Sequence, residues 1–145
     1  MLHILIATLL FGICQSFRTQ SAGVRGTLLC GDKPLVGVKV KLWDDDSDHF
    51  LISGPDLDDL LQEGTTNGQG KFELSGYTSE MTTIDPVLKV YHDCNDGLPC
   101  QRKVEFIIPD KYVTNGPVPE KFFDIGIVNM EAKFSGETRD CLNRK

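Results

Sequence analysis

The sequence predicts an all-β fold, an antiparallel β-sandwich. Three observations carry that prediction. Apolar residues recur at every second position in several short runs, each run gives way to glycine-, proline- or asparagine-rich turn chemistry, and cysteines fall at the ends of the runs. Strict alternation is the mark of strands with one buried and one solvated face, which is how antiparallel sheets pack.

The chain opens on an apolar run from Leu2 through Ile13, interrupted by His3 and Thr8. It falls short of the roughly 20 residues that cross a bilayer. Cys14 and Ser16 place small residues at the −3 and −1 positions of a cut, and a polar stretch, Arg18 to Ser21, follows. Residues 1–16 are therefore expected to be a secretory signal peptide, and residues 17–145 one extracellular domain. No later run is long and apolar enough to predict a transmembrane segment.

Val24 to Cys30 alternates as the first strand and is stopped by Gly31-Asp-Lys-Pro34. Val36, Val38, Val40 and Leu42 then share one face, with Lys39 and Lys41 on the other, the clearest strand in the chain. Asp44 to Leu61 breaks the pattern. Leu57, Leu60 and Leu61 have the spacing of one helical turn and Pro55-Asp56 could begin it, so a long loop with at most a short helix is expected there. Phe72 and Leu74 alternate with Lys71, Glu73 and Ser75. Leu88, Val90 and His92 alternate with Lys89, Tyr91 and Asp93, and Val104, Phe106 and Ile108 with Lys103 and Glu105. A last strand is expected over about Phe122 to Met130. Thr66-Asn-Gly-Gln-Gly70, Asn95-Asp-Gly97, Pro109-Asp110 and Asn115-Gly-Pro117 supply the turns between them.

Of five cysteines, Cys14 leaves with the signal peptide, and Cys30, Cys94, Cys100 and Cys141 remain for disulfides in an oxidising compartment. Cys30 is in phase with Val24 and Leu28, and Cys94 with Leu88 and Val90, so both thiols point inward. That favours Cys30 with Cys94 and leaves Cys100 for Cys141, although four cysteines permit three connectivities, a local Cys94 to Cys100 loop among them. A zinc site is disfavoured, because no Cys-x-x-Cys pair exists and His49 and His92 are the histidines beyond the leader. The net charge of −6 repels nucleic-acid phosphate, which removes DNA and RNA as partners.

Gly26-Thr-Leu-Leu-Cys30, Val38-Lys-Val-Lys-Leu-Trp43, Asp58-Asp-Leu-Leu61, Gly70-Lys-Phe-Glu-Leu-Ser-Gly76, Ile84-Asp-Pro86, Tyr91-His-Asp-Cys94, Ile108-Pro-Asp-Lys-Tyr112 and Phe123-Asp-Ile-Gly126 occur in this order and spacing. Together they resemble the nematode transthyretin-like family over nearly all of the chain after residue 16. The resemblance implies a transthyretin-like (prealbumin-like) sandwich of about seven strands and an extracellular location. Some members of that family are associated with recognising phosphatidylserine on dying cells and bridging them to phagocyte receptors. The shared motifs themselves read as structural.

Chemistry-bearing residues are few. Asp44-Asp-Asp-Ser-Asp48 is acidic enough to attract calcium, making Asp44, Asp46 and Asp48 candidate ligands. The stretch fails as an EF-hand, since His49 stands where glycine is required and Pro55 where the bidentate glutamate belongs. His92 invites a catalytic reading, but Asp93, its neighbour, points to the opposite face of the strand and no nucleophile accompanies it, so no catalytic residue is assigned. A related group hydrolyses 5-hydroxyisourate with a C-terminal Tyr-Arg-Gly-Ser motif. This chain ends Cys-Leu-Asn-Arg-Lys145, without that equipment. No cofactor is expected. For anionic lipid, Lys39, Lys41, Arg102, Lys103, Lys111 and Lys121 are the candidate phosphate contacts. The sequence thus points to a binding protein for anionic phospholipid and a cell-surface receptor. A carrier of a small apolar ligand or a protein-interaction module of extracellular fluid or cuticle is the alternative.

Overall fold

The structure, a computed structural model, describes residues 17–45 and 58–143. Ten strands occur among them: β1 (Arg18–Cys30), β2 (Lys33–Pro34), β3 (Lys39–Asp44), β4 (Asp59–Thr65), β5 (Lys71–Glu80), β6 (Pro86–His92), β7 (Gln101–Ile107), β8 (Thr114–Asn115), β9 (Phe122–Asn129) and β10 (Thr138–Asp140). Three of these, β2, β8 and β10, are only two or three residues long, so seven strands carry the sandwich. Residues 1–16, where a signal peptide was expected, and the stretch 46–57 lie outside the described residues.

One sheet is built on β1, with β5 along one side and β9 along the other, and with β2 and β8 extending its ends. The second runs β10-β7-β6-β3-β4, every neighbour antiparallel. The expected antiparallel sandwich is present, with β1–β9 as its parallel pair. That exception follows from connectivity: the chain crosses from β7 through a 3-10 turn at Asp110–Tyr112 before β9 reaches the first sheet, and a crossover can return a strand in either sense.

Val24 and Leu28 of β1, Phe72 and Leu74 of β5, Val40 and Leu42 of β3, Leu88 and Val90 of β6, and Val104 of β7 interdigitate between the sheets. These are the alternating positions of the sequence. At roughly 25 cal/mol per Å² of apolar surface removed from water, this layer is the main force holding the sheets together. Cys30 bonds Cys94 across it, with Cα atoms 5.7 Å apart, and Cys100 bonds Cys141, with Cα atoms 4.4 Å apart.

Four local expectations change. First, β1 begins six residues earlier than Val24, at Arg18. Gln20 and Ser21 are buried in that extension, and Gln20 bonds Thr82 O at 2.7 Å and the Ile84 N–H at 3.1 Å. A satisfied buried amide contributes nothing to a hydrophobic pattern. Second, Val36 is 55% exposed and outside β3. Gly37, at φ +69°, turns the chain there, so the inward face begins at Val38. Third, Leu60 and Leu61 lie in an edge strand, β4, rather than on a helical turn, while Leu57 lies outside the described residues. Pairing with β3 from Lys39↔Thr65 to Asp44↔Asp59 imposes the extended form, and an edge strand exposed on most positions carries no alternation to read. Fourth, β6 is buried on both faces, Lys89 and Tyr91 included. It is the middle strand of five, and large side chains from β3 and β7 close over its outer surface.

Candidate functional site

The outer face of the second sheet collects Lys39, Lys41 and Trp43 from β3, Lys89 and Tyr91 from β6, and Lys103 from β7. The ladder sets Lys39 against Tyr91, Lys41 against Lys89, and Tyr91 against Lys103. Lys41 Nζ lies 5.8 Å from the Trp43 ring centroid and 5.6 Å from that of Tyr91, and Lys89 Nζ lies 5.3 Å from Trp43. Like charges side by side need compensation, and acids supply it: Lys41–Glu63 at 3.7 Å, Lys89–Asp58 at 3.7 Å and Lys103–Glu105 at 3.4 Å. Burial, then Asp140 and Glu105, pushes the Tyr91 hydroxyl up to about 12, so it stays protonated. Three of the predicted lysines are thereby brought together, two of them, Lys41 and Lys103, paired with acids.

Arg102 is not with them. Its side chain turns into the sandwich with 6% exposure, where a membrane phosphate has no access. Nε and Nη2 grip the Glu137 carboxylate, Nη1 donates to Cys94 O at 3.0 Å and Met130 O at 2.8 Å, and Nη2 also donates to Ala132 O at 2.7 Å. Register explains the turn inward: Arg102 pairs with His92 and alternates with the outward Gln101 and Lys103. Its partner Glu137 is far away in sequence, so no local signal announces the pair.

Lys111 and Lys121 meet instead at one end of the molecule. They line a cleft of about 260 Å³ with Val113, Thr114, Asn115 and Glu120. The 3-10 turn supplies Lys111, whose Nζ lies 5.3 Å from the Tyr112 ring centroid. Thr114 Oγ1 accepts the Glu120 N–H at 3.0 Å and closes the loop between β8 and β9. At the tip of that loop Val118 is 72% exposed between Pro117 and Pro119. Two ammonium groups on one cleft can take a phosphate, and an unburied apolar residue on the loop that closes it can touch an acyl layer.

Among the acidic candidates, Asp46 and Asp48 lie outside the described residues. Asp44 ends β3, fully buried, and accepts the Asp85 N–H at 2.8 Å. Its carboxylate gathers with Asp59 of β4, which belongs to the same acidic stretch of sequence but was not among the expected ligands, and with Glu80 of β5, which lies outside that stretch. His92 is 1% exposed, and its Nδ1 accepts the Cys94 N–H at 3.1 Å. Burial, then the Arg102 charge, lowers its pKa to about 4, so the ring is neutral with its proton on Nε2. Asp93 points away and bonds Gln101 instead. The ring is a core element between β6 and the disulfide.

Residues 25–109 match the model of the Transthyretin-like family. Transthyretin-like protein 33 of Caenorhabditis elegans is 56% identical over 140 residues, covering 93% of this chain and 94% of that one. Transthyretin-like protein 5 of the same nematode is 53% identical, covering 86% of each chain, and Transthyretin-like protein 46 is 47% identical over 97% of this chain and 76% of its own. All three are named as transthyretin-like proteins and none as an enzyme. Among solved structures, a 9R-lipoxygenase from Cyanothece PCC8801 aligns at 25% identity over 76% of this chain and 16% of that one, with a TM-score of 0.41, too low to carry an argument. The matched segment runs from the middle of β1 to just past the end of β7 and includes most of the core, Leu28, Val40, Leu42, Leu74, Leu88, Val90 and Val104 among it, so with relatives alike over almost their whole length, the chain belongs to the transthyretin-like family.

Proposed function

We propose that this is a secreted binding protein, released by removal of residues 1–16, that recognises exposed anionic phospholipid such as phosphatidylserine and presents the bound membrane to a receptor. The observation that carries the reading is that Lys111 and Lys121 line one cleft, closed by the loop on which Val118 is exposed. Basic residues near a membrane surface contribute about 1 kcal/mol each toward anionic lipid. An apolar tip adds insertion that a free phosphate would not reward. Lys41 and Lys103 contribute less, because Glu63 and Glu105 neutralise them. A binding role is further supported by His92, buried and engaged with backbone, and by relatives whose names describe no reaction.

Flotation of the oxidised protein with phosphatidylserine-containing vesicles and with purely zwitterionic vesicles tests this directly. Selective flotation of the wild type is expected, with Lys111→Ala/Lys121→Ala reducing it about tenfold or more and Val118→Ser weakening it further. Equal behaviour on both vesicle types, or full binding by the double variant, refutes the assignment. In that event a small apolar ligand or a protein partner becomes the reading to pursue.

A further inference from the structure

We propose that Asp44, Asp59 and Glu80 form a binding site for a hard divalent cation, calcium being the best match, which ties the two sheets together at one end of the sandwich.

The three carboxylates come from three strands. Asp44 and Asp59 face one another in the β3–β4 ladder of the second sheet, and Glu80 ends β5 of the first. One oxygen from each lies within 4.8 Å of the others. Oxygens bound to one calcium at about 2.3–2.6 Å are separated by no more than about 5 Å, so all three can touch a single ion.

Proximity of acids alone would not make a site. The second observation is the state of Asp44. It has no solvent exposure, Oδ1 holds the Asp85 N–H, and Oδ2 is buried with no hydrogen-bond partner. A carboxylate oxygen removed from water and given no donor is costly unless a positive charge meets it. No lysine or arginine pairs with Asp44 or Asp59 among the described residues. The charged neighbours acting on Asp44 are themselves acids. They are Glu80 and Asp85. Asp44 Oδ2 thus meets no positive charge among the described residues, and the spacing of the three carboxylates is open to an ion.

The donor set selects the chemistry. Three carboxylates without sulfur or imidazole favour a hard ion over zinc or copper. Calcium tolerates irregular geometry and completes its shell with water, which suits a site having one buried, one half-buried and one exposed ligand. Thr78 Oγ1 donates to Asp59 Oδ2 at 3.3 Å, which links the Asp59 carboxylate to β5.

The test uses the oxidised full-length domain and calcium alone, without vesicles, so it stands apart from the lipid reading. Isothermal titration is expected to show one calcium per chain, with an affinity of roughly 10⁻⁴ to 10⁻³ M, the range of extracellular sites. At tenfold excess over that value the melting temperature should rise about 5 °C and fall back on chelation. Asp59→Asn and Glu80→Gln should each weaken binding about tenfold or more. In chelator both variants should melt at or above the wild type, because repulsion has been removed. Asp124→Asn, which removes an exposed acid paired with Arg25, should leave the titration unchanged. Absence of both binding heat and thermal shift in the wild type would leave Asp44 holding a proton rather than a metal and would overturn the proposal. So would wild-type calcium affinity in Asp59→Asn and Glu80→Gln.

Discussion

Replacing Arg102 by methionine should cost this domain a large share of its stability. The change keeps an unbranched apolar stem and deletes the guanidinium. In the wild type that group satisfies three backbone carbonyls, of Cys94, Met130 and Ala132, and both oxygens of Glu137. It fastens β7 to the loop after β6 and to the segment following β9. Side-chain exposures of 6% and 13% mean that water replaces little of what is lost. Breaking a buried pair by removing one partner costs about 3–5 kcal/mol, and orphaned buried acceptors cost about 1–3 kcal/mol each where water cannot reach them. Glu137 keeps the Phe134 N–H at 3.3 Å, which lowers the total. About 4 kcal/mol is expected, against a total of roughly 5–15 kcal/mol for a domain. Urea unfolding at neutral pH, followed by Trp43 fluorescence with both disulfides intact, reads the difference. Glu137→Gln should cost less, about 2 kcal/mol, since the guanidinium retains its carbonyls. The hydrogen bonds from Arg102 hold the Glu137 carboxyl below its ordinary value. This contribution is therefore present above the unfolded glutamate pKa and lost as pH falls through the folded one. The acid dependence should shrink in Arg102→Met. A cost under about 1 kcal/mol, or an unaltered acid limb, would refute the assignment of Arg102 as the clamp of this end.

Further outcomes can be measured in the same way. His92, with its pKa lowered to about 4 by burial and then Arg102, should remain neutral in the folded state until pH is well below 6. Because the unfolded ring takes a proton near 6.5, stability falls as pH drops from there toward 4, by up to about 3 kcal/mol, and NMR titration of the ring should show no transition near 6.5. Cys30→Ser/Cys94→Ser removes a link of sequence separation 64, and Cys100→Ser/Cys141→Ser one of 41. Loop-closure entropy assigns each about 4 kcal/mol, so each double variant should unfold at markedly lower urea, and equality with the wild type would place the stabilisation elsewhere. Lys111→Ala/Lys121→Ala should reduce flotation with anionic vesicles while leaving the urea midpoint within about 0.5 kcal/mol, because both lysines are surface residues.

The strands that line the core were legible in the sequence because burial on one face imposes a period of two, and Val24, Val40, Leu42, Leu74, Leu88, Val90 and Val104 obey it. The same phase put Cys30 and Cys94 on the inward side, and the disulfide joins them. β4 was illegible because an edge strand is shaped by its neighbour's backbone, and Leu60 and Leu61 mimic a helical turn when read alone. The Gln20 end of β1 was hidden for the opposite reason, its buried polar groups being satisfied by distant backbone.

For the candidate sites the division is sharper. Composition and order determined a cross-linked β-sandwich and nominated lysines and aspartates by their chemistry. Which of them meet was decided by contacts between residues far apart in the chain. Arg102 and Lys103 are neighbours in sequence, yet alternation sends one to Glu137 in the interior and the other to Glu105 on the surface. Lys111 and Lys121 converge because the β8–β9 loop folds back, and Asp44 finds Asp59 and Glu80 because two sheets close over it rather than because aspartates follow it in the chain. Side-chain phase is a local property of a strand. Electrostatic partnership depends on separations of a few ångströms that only the packed sheets establish.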